Sequence, residues 1–247
     1  GGWYNGFNGM RLLGVLQRIG LCYMFAGILF IYLKPRGLVI AFATLLLGYW
    51  AAMSFIPIPG SEQVSFEEGK NLANWVDLKF LPGFKWDGTH DPEGLLSTLP
   101  AIGTCLLGVF TGLFLRDPRK TGQQKALWLV AAGVIAILVG HLWGMQFPVI
   151  KKLWTSSYVL VAGGWSAILL ALFYWTIDVK GHNRWAVPFI WVGLNPITIY
   201  VLGNVMKFDA MAGAVLGGPV KSLADGISQG FGDVLISIGG MLIAMGI

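Results

Sequence analysis

HDPEGLLSTLPAIGTCLLGVFTGLFL, residues 90–115, decides the fold, because a polar corner passes there into an uninterrupted apolar run. Leu95 to Leu115 contains no charged side chain, and about 20 helical residues suffice to cross roughly 30 Å of hydrocarbon. Asp91 is placed to cap this helix, Pro92 suits its first position with φ already set, and Glu93 lies where the helix dipole favours negative charge. The helix is therefore predicted to begin at Pro92, with a histidine and two carboxylates at its mouth.

Composition makes that helix one of several. Of 247 residues 55% are hydrophobic and only 12% charged, and the mean hydropathy is +0.68. A soluble core of this size cannot hide so much apolar surface, so the bilayer is the expected solvent and main partner. The 35 glycines and 11 tryptophans suit the same class, since small residues let membrane helices approach and aromatic rings settle at interfaces. The net charge of +5 comes from short basic loops between apolar runs, which topology explains without a nucleic-acid partner. Cys22 and Cys105 fall inside apolar runs, and His90 and His182 lie in loops on opposite sides, so no disulfide or metal-ligand spacing is expected.

The predicted architecture is all-α, a polytopic transmembrane bundle of about seven spans, read as one domain over 1–247 that is cut from a longer chain at both ends. The spans run from Leu12 to Leu33, Leu38 to Ile56, Leu95 to Leu115, Ala126 to Met145, a fifth reaching Ile177, Trp185 to Met206, and Phe231 to Ile247. A Gly-rich stretch from Met211 to Gly230 reads as a re-entrant or surface helix. Residues 58–93 hold the one long hydrophilic segment, of the kind that usually forms a lid or binding loop. Lys34, Arg36, Arg116, Arg119, Lys120, Lys125, Lys180 and Arg184 share the other side with only Asp117 and Asp178, so that side is expected to be cytoplasmic and the 58–93 loop outward.

Polar residues then concentrate at the outward rim. Arg11 and Arg18 are two helical turns apart beside Gln17, and an arginine at membrane depth needs a partner or a wet cavity. Asp91 and Glu93 are the expected partners; an anionic ligand is the alternative. Lys151 and Lys152 precede Trp154, Thr155, Ser156 and Ser157 at a helix start, an arrangement open to an anion or to simple snorkelling. Asn195-Pro196 puts an amide and a freed carbonyl inside the sixth span, and His141 is a candidate base or a helix-bridging group. No phosphate-binding loop, nucleophile elbow or dinucleotide fingerprint is present.

Four separated segments also resemble one family. Arg11 to Ile19 is similar to its Arg-Ile-Pro-Gly-Val-Leu-Gln-Arg segment, and Asp91 to Ser97 to its Asp-Pro-Glu-Gly helix start. Phe147 to Tyr158 resembles its Pro-x-Asn-Lys-x-Leu-Trp segment, and Asp178 to Gly181 with Gly193 to Asn195 its Asp-Val-Lys-Gly and Gly-Met-Asn pair. The family is the heparan-α-glucosaminide N-acetyltransferase group with its bacterial relatives. Leu13 stands in place of the family's proline, and Ile150 in place of its asparagine.

The resemblance implies acetyl transfer from acetyl-CoA, across the membrane, to an amino sugar such as a terminal glucosamine. It also implies a bacterial inner-membrane location with a periplasmic 58–93 loop, and a homodimer. The family's central histidine belongs to an earlier helix, so no catalytic residue is assigned here and this stretch alone is expected to be inactive. Arg11, Gln17, Arg18, Asp91, Glu93, Ser97, Lys151, Trp154, Ser157 and Asn195 are the expected site-lining residues. From a different class, a sugar or glycan permease would also place arginine and asparagine around a wet path.

Overall fold

The computed structural model describes residues 10–194, 196–198 and 200–201. Among them the regular secondary structure is helical, apart from an isolated antiparallel bridge between Arg11 and Gly83. Two compact units divide the chain, residues 1–175 and 176–247.

Unit one holds five helices long and apolar enough to cross a membrane: α1 (Val15–Tyr32), α2 (Pro35–Phe55), α4 (Thr98–Leu115), α5 (Gly122–Gly144) and α6 (Ser156–Tyr174). Only Leu33 and Lys34 separate α1 from α2, and Pro35 at the first turn of α2 makes them a tight hairpin. The α4–α5 corner is closed by a capping box between Thr121 and Gln124, and by Lys125 Nζ donating to Leu115 O at 2.7 Å. Only 11–33% of the most apolar 18-residue window of each span is buried inside the protein, so much of its apolar surface is left for lipid or further helices. The chain is an integral membrane protein.

Helix α4 is central and packs on α1, α2 and α6. Gly103 admits Leu46 so closely that a Cβ there would sit 2.6 Å from Leu46 Cδ1. The most extensive contact joins α5 to α6, where Gly133 and Gly164 face each other. A Cβ on Gly133 would lie 2.7 Å from Gly164 O, and one on Gly164 2.6 Å from Gly133 O. Small residues are thus what lets these two backbones meet.

Three sequence expectations change. The third span starts at Thr98, not Pro92, because residues 91–97 form consecutive turns whose carbonyls are taken by side chains. Arg11 is not helical: it pairs with Gly83 in extended backbone, and α1 begins only after Gly14. The two-turn spacing of Arg11 and Arg18 is therefore not what brings them to one end. The long loop contains α3 (Leu72–Phe80), capped by Asn71, whose side chain accepts from Asn74 N. Ala73 of α3 packs with Tyr49, Met53, Phe147 and Leu153 in one buried cluster that Phe66 and Leu72 also join. Full burial of a side chain such as Phe147 contributes about 1.5–3 kcal/mol, and this cluster holds the loop on the bundle end.

In unit two, π-helical residues up to Val179 lead to a turn at Gly181 (φ 72°) and a 3₁₀ turn, Arg184–Ala186. Helix α7 (Val187–Leu194) follows within the predicted sixth span. Asn195, the Gly-rich stretch and the predicted seventh span lie outside the described residues.

Candidate active site

At the loop end, Arg11 reaches from the extended segment before α1 into the corner before α4. Its Nε donates to Asp91 Oδ2 at 2.7 Å and its Nη2 to Asp91 Oδ1 at 2.6 Å, a bidentate pair. Nη2 also reaches Glu93 Oε2 at 2.5 Å, and the guanidinium lies 5.3 Å over the Trp86 ring. Asp91 accepts further bonds from the backbone N–H groups of Trp86 and Glu93, at 3.2 and 3.0 Å.

These partners separate the two carboxylates electrostatically. Burial pushes Asp91 upward, but the hydrogen bonds from Arg11 and from the two backbone donors outweigh it and hold the carboxyl below its ordinary range. Glu93 moves the other way, raised first by burial and then by its contact with Asp91. Arg11 is held more firmly charged by its bonds to Asp91. The Asp91 side chain is fully enclosed, whereas that of Glu93 is 20% exposed. One acid is thus a fixed anchor, and the other is an accessible carboxyl with raised proton affinity.

Arg18 is 5% exposed and does not pair with a carboxylate, contrary to the simplest expectation. Its Nη1 and Nη2 donate to Pro92 O and Ser97 O at 3.0 and 2.5 Å. Its guanidinium stacks 4.4 Å from the Trp154 ring, and its buried Nε has no hydrogen-bond partner. Carbonyls and a ring face disperse the charge where an acid would neutralise it. Trp154 sits in left-handed backbone (φ 51°) and sends its indole N–H to Thr104 Oγ1 at 3.0 Å. Such a conformation is unfavourable for a bulky residue and persists only because α1, α4 and the turn before α6 all hold the ring.

Asp77 on α3 was not foreseen. It is 1% exposed and accepts from Leu95 N at 2.9 Å and Asp91 N at 3.4 Å, so it ties the whole corner to α3. Burial raises its carboxyl above the ordinary range. The available signal was Asn71 as a cap three residues before Asn74, which marks 72–80 as a helix and Asp77 as its single acid.

The remaining predicted residues divide. Ser97 is buried and donates to Gly94 O at 3.2 Å. The Ser157 hydroxyl is committed to Phe147 O and Pro148 O at 2.6 and 3.2 Å, which fixes the turn before α6. Gln17 and Lys151 are exposed, as is His141 on α5. Lys152, not Lys151, binds into the loop: its Nζ reaches Glu68 Oε1 at 2.6 Å and Asp87 Oδ2 at 3.2 Å. His90 lies beside the same two carboxylates, its Nε2 3.3 Å from Glu68 Oε1 and 3.6 Å from Asp87 Oδ2. An apolar cavity of about 390 Å³ lies alongside the corner, lined by residues that include Leu13, Leu29, Leu45, Leu95 and Ile102.

A bundle of apolar helices with a partly buried arginine-carboxylate cluster at one end defines a polytopic membrane protein with a candidate polar site at the end of its spans. Comparison with known proteins narrows the class. The chain is a homologue of heparan-α-glucosaminide N-acetyltransferase, the family its segments resemble. It is 26% identical to the enzyme of that name from Mus musculus, in an alignment of 250 positions with gaps that covers 80% of this chain, and 25% identical to that of Homo sapiens over the same share. It spans only 38% and 37% of the length of those two relatives. A glycerol-3-phosphate acyltransferase from Gloeobacter violaceus is 29% identical over 151 residues, covering 59% of this chain and 66% of that protein. No family profile matches. The relatives share acyl transfer as their named activity.

Proposed function

We propose that this chain forms the rim-side part of a membrane acyltransferase that moves an acetyl group from acetyl-CoA across the bilayer to an amino-sugar acceptor. The observation that carries the proposal is the partly buried Arg11–Asp91–Glu93 centre, built from two of the segments that resemble the family. N-acetylation requires a neutral amine: its nitrogen attacks the thioester carbonyl, the C–S bond breaks, and the amine proton must go to a base while the thiolate leaves. Glu93, partly exposed and with its proton affinity raised by burial, is the group assigned to accept that proton. Asp91 and Arg11 hold it in place, and Arg18 with Trp154 supports the corner on which it sits. Gln17, Ser97 and Lys151 are assigned to the wall of the proposed site. In this proposal the 58–93 loop faces outward, on the periplasmic side of a bacterial inner membrane, and the protein is a homodimer.

The test uses full-length protein in membranes, labelled acetyl-CoA and glucosamine. Wild type is expected to yield N-acetylated product and Asp91→Asn none, at unchanged expression. Retained transfer in Asp91→Asn would overturn the assigned centre. Absence of product in wild type, with uptake of the sugar instead, would overturn the acyltransferase in favour of a permease.

A further inference from the structure

The ring nitrogen of His90 that faces away from Thr89 is buried without a hydrogen-bond partner, although two carboxylates stand beside it. The His90 side chain is 7% exposed. Its Nδ1 is matched by Thr89 Oγ1 at 3.1 Å, which fixes the ring and leaves Nε2 aimed at Glu68 Oε1 and Asp87 Oδ2. The approach to Glu68 is too misaligned to count as a hydrogen bond. Three Lewis-basic groups therefore converge, all within 4.8 Å of one another, and the cation now among them is the Lys152 ammonium.

We propose that His90, Glu68 and Asp87 form a binding site for a divalent transition-metal cation of the zinc type, for which Lys152 competes. Spacing supports this. Zinc holds nitrogen and oxygen ligands at about 2.0–2.2 Å, which in a tetrahedron separates them by roughly 3.3–3.6 Å. The distances from Nε2 to the two oxygens are 3.3 and 3.6 Å. An imidazole with two carboxylates suits zinc or a neighbouring first-row metal better than calcium or magnesium, which want more oxygens. Thr89 Oγ1 on Nδ1 stands where a metal-bound histidine places the outer-shell acceptor that orients its ring.

Local backbone builds the cluster. Asp87 N donates to His90 O at 3.1 Å, and Gly88 adopts φ 80°, so the turn folds back and sets Asp87 beside His90. Glu68 arrives from before α3. The three ligands span 23 positions with no spacing motif, which is why sequence pattern did not display them. Lys152 is half exposed on a flexible stem and can swing to water when a metal enters. A bound metal would lock the segments on either side of α3 together, one residue from Asp91. The site is argued from this cluster alone and does not depend on acyl transfer.

Zinc binding to the purified full-length protein in detergent, by equilibrium dialysis and calorimetry, tests it. Wild type is expected to bind one zinc per chain at this site, and Lys152→Met to tighten binding about tenfold or more by removing the competing charge. Lys152→Met combined with His90→Gln is expected to lose at least about tenfold of that affinity. Because a buried histidine variant can misfold, Lys152→Met with Glu68→Gln serves as the second probe; Glu68 is half exposed. Failure of Lys152→Met to bind zinc saturably, or equal affinity with and without Glu68, would overturn the site.

Discussion

Replacing Gly94 with alanine should unseat the corner before α4, by a mechanism that can be isolated. A Cβ built on Gly94 lies 2.6 Å from both Cγ and Oδ1 of Asp77, and nearer still to Oδ2. Gly94 is not among the glycines with positive φ, so the backbone accepts alanine and the clash is purely with the carboxylate. That carboxylate is enclosed and held by the N–H groups of Leu95 and Asp91, at 2.9 and 3.4 Å, so it can move only by surrendering at least the shorter of these bonds. Overpacking costs about 1–3 kcal/mol, and loss of a charge-assisted hydrogen bond with a buried donor left over about 1.5–3 kcal/mol. The sum is about 2.5–6 kcal/mol. In an Asp77→Ala background the obstructing atoms are gone, and Gly94→Ala should be close to neutral. The measurement is a double-mutant cycle on full-length protein, with unfolding followed by denaturant titration in mixed micelles and with hydrogen exchange at the Leu95 amide. A coupling of at least about 1 kcal/mol is expected for groups in contact. Equal penalties with and without Asp77, or a neutral Gly94→Ala in wild type, would refute the claim that this glycine exists to admit the carboxylate.

Other perturbations follow the same geometry. Trp154→Phe keeps a ring under Arg18 but loses the indole N–H to Thr104, which should cost about 0.5–1.5 kcal/mol; Trp154→Ala should cost about 3–5 kcal/mol in the same titration. Gly164→Ala should separate α5 from α6 and lower stability by about 1–3 kcal/mol, whereas Gly163→Ala, which meets only the flexible end of Leu107, should be milder. Glu93 has its carboxyl raised on folding, so its contribution is stabilising below the ordinary glutamate value of about 4.3 and is lost as pH rises through the folded value. Glu93→Gln should therefore gain stability relative to wild type as pH rises through that window. If Glu93 is the base, the acidic limb of the transfer rate should lie above the ordinary glutamate value and disappear in Glu93→Gln. Asp91, lowered on folding, has the opposite sign: its contribution is present above the ordinary aspartate value and is lost as pH falls through the lowered one. Melts of Asp91→Asn against wild type should thus diverge as pH rises from the lowered Asp91 value.

The spans were legible because period and length suffice for an apolar helix in lipid: the stretches headed by Leu12, Leu38, Leu95 and Ala126 each contain or overlap an observed helix. Pairing across the rim was legible too, since an arginine and two acids on one side of a membrane have few other partners, and Arg11 does bind Asp91 and Glu93. What local rules missed was decided at long range. Asp91, Pro92 and Glu93 carry every local mark of a helix start, yet Asp91 is already engaged by Arg11 and by the Trp86 and Glu93 amides. The carbonyls of Pro92 and Ser97 are claimed by Arg18, 74 and 79 positions away. A carboxylate with a bidentate arginine has little to gain from a helix N-terminus, so the helix yields six residues and opens at Thr98. That displacement is what lets Arg18 stay charged at membrane depth: turn carbonyls inside a regular helix would already be spent, and only the irregular corner leaves two of them free to accept from it. The broken helix start and the buried arginine are one feature, and the acid left partly open beside them, Glu93, is its chemical product.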